Sequence, residues 1–90
     1  MKQQIVWKIT SISDKNEHLI DTETTRDRMR PRYLLYSAVA GRSAMLINLD
    51  DRKQSLQTSR IEELIIFGDR IKITTLNSVY WLKQSIEDVE

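Results

Sequence analysis

IEELIIFGDRIKITTLNSVYWLK, residues 61–83, reads as three consecutive antiparallel strands joined by two tight turns. Its middle part, Arg70-Ile71-Lys72-Ile73-Thr74-Thr75, alternates polar and apolar side chains, the period of a strand with one buried face. Ile, Thr and Val suit a pleated surface because their branched Cβ packs against cross-strand neighbours. Gly68-Asp69 before it is a hairpin signal, since Gly at the first central position supplies the positive φ of a type II′ turn. Asn77-Ser78 marks the second turn, because Asn tolerates the left-handed region.

Two-residue loops at both turns predict a register. Phe67 then faces Arg70, Ile66 faces Ile71 and Leu64 faces Ile73; beyond the second turn Thr75 faces Tyr80, Thr74 faces Trp81 and Ile73 faces Leu82. Leu64, Ile66, Ile71, Ile73, Tyr80 and Leu82 share one face, read as the core face. The same register sets Lys72 opposite Lys83, an unfavourable pair that a longer second loop would relieve. The other face carries Ile65, Phe67, Val79 and Trp81 among Arg70, Lys72 and Thr74. That is more apolar than a solvated sheet face requires. It is either a second packing layer, as in a barrel or two-layer roll, or a partner or oligomer surface.

Ninety residues make one domain, 1–90, with a modest core. The absence of cysteine excludes disulfides, thiolate metal sites and cysteine nucleophiles, and fits a reducing compartment. Met1-Lys2-Gln3-Gln4-Ile5 lacks the long apolar run of a signal peptide, and no run approaches the ~18 apolar residues of a membrane span. A cytoplasmic protein without membrane contact is expected. Net charge is only +1, but residues 26–60 hold eight basic side chains against three acidic ones.

Residues 4–13 form the first strand candidate, with Ile5, Trp7 and Ile9 pointing one way. The apolar phase slips at Ile12, which predicts a bulge near Ser11. Residues 14–17 are a polar turn, and 18–20 a short return. Residues 21–32 are charged and hydroxyl-rich, with Pro31 removing a donor, and read as a long mobile loop. Residues 33–39 are apolar on both faces, as a buried strand is. Ala40-Gly41 turns the chain and 43–49 returns. Residues 50–59 are a polar connection with room for a turn of helix. Ser59 and Glu62 have capping-box spacing, but a strand from about Ile61 is preferred. Residues 84–90 are polar and expected to fray. The sum is a mainly β fold: a small antiparallel barrel (SH3-like) or an open β-roll of about six short strands, with at most one short helix.

Catalytic equipment is missing from this pattern. The one histidine, His18, lies near Glu17 and Asp21 without the spacing of a metal site. Glu62 and Glu63, adjacent on a strand, point to opposite faces and do not converge on one bond. Gly41 and Gly68 are isolated, so no glycine loop cradles phosphate. An enzyme, a metal or a cofactor is not expected. The pointed feature is the run Arg26, Arg28, Arg30, Arg32. In an extended loop all four guanidinium groups fall on one side, able to follow a phosphate backbone or a ladder of acidic side chains. Tyr33, Tyr36 and Trp7 would stack on bases if exposed. Against this, Asp27 interrupts the run and Asp21 and Glu23 precede it, which also fits a solvated loop.

The pieces Leu56-Gln57-Thr58-Ser59-Arg60-Ile61, Gly68-Asp69-Arg70-Ile71-Lys72-Ile73 and Thr75-Leu76-Asn77-Ser78-Val79-Tyr80 resemble the closing hairpins of small phage, prophage and plasmid-borne proteins. The resemblance covers residues 56–83 and is built of turn and strand residues. It implies a mobile-element origin and an accessory role, such as action on a host protein, and assigns no functional residue.

The leading expectation is a non-enzymatic interaction module that binds a protein partner or itself, a homodimer included because sheet edges need covering. Its site residues are Arg26, Arg28, Arg30 and Arg32 on the loop and Phe67 and Trp81 on the second face. The alternative is a nucleic-acid-binding barrel that grips phosphate with the arginine loop. A ligand pocket inside the barrel ranks last, because small barrels are filled by their own side chains.

Overall fold

The computed structural model describes residues 2–89. Six antiparallel strands follow one another around a closed barrel: β1 (Lys2–Ser13), β2 (Tyr33–Ser37), β3 (Ser43–Asn48), β4 (Leu56–Phe67), β5 (Arg70–Thr75) and β6 (Val79–Val89). The mainly β expectation holds, as a closed barrel and not an open roll. β1 closes the ring by pairing with β6 along its whole length and with β2 at Trp7 and Tyr33. Among the described residues one helix, α1 (Glu23–Met29), and a 3₁₀ turn at Arg52–Gln54 accompany the strands.

The β4–β5 hairpin has the predicted register: Phe67 faces Arg70, Ile66 faces Ile71 and Leu64 faces Ile73. Gly68 sits at φ 57°, as the turn demands, with open space where a Cβ would go. The β5–β6 loop is longer than expected. Ile73 faces Tyr80 and Lys72 faces Trp81, so β6 is displaced by two residues from the two-residue-loop register. The cause is Thr75. Its backbone N–H donates to the Ser78 carbonyl at 2.8 Å, and its hydroxyl accepts the Ser78 N–H at 3.1 Å. A shift of two keeps every side chain on its face, so the core reading survives. It also removes Lys72 from Lys83 and sets its ammonium 5.7 Å from the Trp81 ring centroid.

Ile71, Ile73, Tyr80 and Leu82 pack with Ile9, Ile12, Tyr33, Ala44, Leu46, Leu56 and Ile61, and Leu64 lies partly buried against them. Ile66 does not join. It has the inward phase but is 67% exposed, because beside Gly68 the hairpin runs past the packed interior. Val79, placed on the outer face by alternation, is buried beside its partner Ser13 at the loop end. The register slip between Ile9 and Ser11 is the bulge read from the sequence.

Other expectations are corrected. Residues 18–20 form no strand, only a bridge between Ser13 and Leu19. The segment 21–32, read as loop, carries α1. Thr22 caps it by accepting the Thr25 N–H, and Thr25 Oγ1 accepts the Thr22 N–H in return. β4 begins at Leu56, so Ser59 and Glu62 lie on a strand and not on a helical turn. The tail read as frayed is strand: Gln84 through Val89 pair with Trp7 back to Lys2, while Glu90 lies outside the described residues.

Candidate functional site

Two groups of predicted site residues meet different fates. The arginines are dispersed. On a helix, positions two apart lie about 200° round the axis, so Arg26 and Arg28 diverge where an extended chain would align them. Arg26 Nε lies 3.4 Å from Asp21 and donates to the Thr22 carbonyl. Arg30 pairs with Asp27 at 2.8 Å. Arg28 turns to the barrel: its Nη1 donates to the Tyr80 hydroxyl at 3.0 Å, and its carbonyl accepts the Tyr33 hydroxyl at 2.8 Å. Burial pushes the Tyr33 phenol up, which keeps it protonated and donating.

Arg32 follows α1 and enters β2 as a clamp. Its guanidinium holds Asp50 at 2.9 Å and also grips Glu87 of β6, while its backbone N–H donates to Asp50 Oδ2. Hydrogen bonds from the Arg32 side chain, then from its backbone, hold the Asp50 carboxyl below the usual carboxylate range. Asp50, then Glu87, raise the Arg32 guanidinium in turn. The arginines are therefore dispersed: Arg26 and Arg30 bond within the β1–β2 connection, Arg28 and Arg32 tie that connection to β6, and no row of cations falls on one side.

Phe67 and Trp81 do come together. They lie on the outer face of β4 and β6 and reach across β5, with ring centroids 5.7 Å apart and planes tilted by 31°. Trp81 is half-buried by this contact and by Lys72, whereas Phe67 stays 52% exposed. Pairing assembles a row that sequence reading missed. Lys8 faces Lys83, Lys83 faces Arg70, and Arg70 faces Phe67, from β1 through β6 and β5 to β4. The next row on the same face is Ser11, Trp81, Lys72 and Ile65. Lys8, Lys83 and Arg70 are exposed, and among the described residues none has a carboxylate within 4.0 Å. Lys72 is drawn to Glu17 at 3.2 Å. The local signal in the sequence was the phase shared by Lys8, Arg70 and Lys83, but only strand pairing makes them neighbours.

Elsewhere the polar groups serve the fold. Asp14 accepts the backbone N–H groups of His18 at 3.0 Å and Asn16 at 2.8 Å, the His18 bond doing most to lower its carboxyl. Among the described residues no three metal-ligating side chains cluster. No helix among them is long and apolar enough to cross a membrane. Compared with family models, curated proteins and solved structures, the chain matches none.

Proposed function

We propose that the protein is a non-enzymatic interaction module whose outer β-face, centred on Phe67 and Trp81, seats an acidic segment of a protein partner. The supporting observation is the row Lys8, Lys83, Arg70. Like charges facing each other across strands cost stability, and among the described residues this row has no carboxylate within ion-pair distance. An aromatic pair beside it offers an apolar anchor on rigid strands, the composition enriched at interface centres. A partner that places carboxylates over the row and an apolar side chain against Phe67 relieves both features at once.

The test is capture from nuclease-treated extract by tagged protein, followed by titration of the purified partner. Phe67→Ser and Lys83→Glu should each weaken binding at least tenfold, about 1.4 kcal/mol. Lys83→Glu should at the same time raise stability by about 0.2–1 kcal/mol in urea melts, because it breaks the like-charge row. A partner held equally by both variants would remove the face from the reading.

The same mixture of rings and cations favours single-stranded nucleic acid as a second reading. Captured material that is lost on nuclease treatment, with affinity falling by roughly one power of salt per neutralised phosphate, would select it. Self-association through this face is the third outcome. Light scattering would then show a dimer that Phe67→Ser converts to a monomer.

A further inference from the structure

A cleft of about 590 Å³ opens between α1, Pro31 and the 3₁₀ turn, with Thr24, Arg28, Tyr33, Asn48 and Leu56 among its walls. Asn48 carries the argument. It is 4% exposed, and its Oδ1 accepts the backbone N–H groups of Asp50 at 2.8 Å and Asp51 at 2.9 Å. Those two donors orient the amide, because the other end, Nδ2, can only donate. Among the described residues Nδ2 has no partner, yet no fully enclosed side-chain nitrogen or oxygen is unsatisfied. Nδ2 is therefore a donor that is not fully enclosed, and Asn48 lines the cleft.

Arg28 supplies a second set of donors. Its one hydrogen-bond partner for the guanidinium is the neutral Tyr80 hydroxyl, and no carboxylate of the described residues lies within 4.0 Å of it. Asp27 lines the same cleft but is occupied by Arg30. Both side chains keep N–H donors that no acceptor of the described residues takes, and an added acceptor would engage them. A guanidinium fork and an amide N–H lining one cleft match an oxyanion. The volume is that of an organic ligand and far exceeds a bare ion, and Pro31, Tyr33 and Leu56 provide apolar wall for the ligand body.

We propose that this cleft binds a phosphate monoester of nucleotide size, independently of the Phe67 face. The experiment is a ¹⁵N–¹H titration of the full chain with adenosine monophosphate, adenosine and inorganic phosphate. Adenosine monophosphate should shift the Asn48 side-chain amide and the Arg28 Nε–H saturably. Inorganic phosphate should compete at the same resonances, and adenosine should bind more weakly. Asn48→Asp keeps the acceptor for Asp50 and Asp51 but replaces the free donor with an anionic oxygen. It should weaken adenosine monophosphate roughly tenfold or more. Thr24→Glu, at an exposed helical position that lines the cleft, adds the same repulsion without touching the core and serves if Asn48→Asp does not fold. Phe67→Ser should leave the titration unchanged. No saturable shift at Asn48 would overturn the proposal. So would adenosine binding as tightly as its monophosphate, or unchanged affinity in whichever of the two acidic variants folds.

Discussion

Thr75 does two jobs with one side chain. It is fully buried among the core strands, and its hydroxyl donates to the Ser78 carbonyl at 3.0 Å while accepting the Ser78 N–H. Thr75→Val keeps the shape and removes the hydroxyl, leaving the Ser78 N–H without its acceptor. Urea denaturation should show a loss of about 1–3 kcal/mol. Its strand phase was legible in the sequence; its role in the turn was not, because Asn77-Ser78 looked sufficient as a two-residue loop. Arg32 and Asp50 make a pH-dependent pair. The Asp50 carboxyl is lowered in the folded chain, so its contribution is fully present above the unfolded-state value of about 3.9. It is lost as pH falls through the lower folded value. Acid unfolding followed by circular dichroism should therefore lose part of its low-pH slope in Asp50→Asn.

At the scale of elements, α1 is the main departure from the sequence reading. Arginines at every second position fit an extended loop, and that period hid the helix. Thr22 at the cap, Glu23 in the first turn, basic residues in the last and Pro31 just beyond are the signals that mark it. A seven-residue helix is too short to be stable alone, so its cap and its contacts decide whether it forms. Met29 packs against the core and Thr25 is buried. Thr22→Ala should cost about 1 kcal/mol and speed amide exchange in α1 before any other element. The β-hairpin of β4 and β5 was legible almost residue for residue, since Gly68 and the alternation act locally. The outer strand halves were not. Glu87 and its neighbours look like a frayed tail until β1 is beside them.

For the whole molecule, stability rests on one interior shared by all six strands. A chain of this size has only about 5–15 kcal/mol of total stability. Ile73 is 1% exposed and central to that interior, and Ile73→Ala should cost about 2–5 kcal/mol in urea melts. Such a variant should unfold well below the wild-type midpoint or fail to accumulate folded. The barrel closes through a long β1–β6 ladder and a brief β1–β2 contact. The Glu63–Phe67 half of β4 pairs with β5 alone, which leaves an apolar edge next to the Phe67 face.

The amino-acid sequence by itself determined the all-antiparallel class, the β4–β5 hairpin and its register, the β1 bulge and the inward faces of β5 and β6. Those follow from period-two alternation and turn chemistry, which act over a few residues. The tertiary structure decided the closure of the barrel, the dispersal of the arginines, the row Lys8, Lys83, Arg70 and the cleft around Asn48 and Arg28. Each of these joins residues far apart in the chain, and pairing between distant strands is set by the packing of the whole interior.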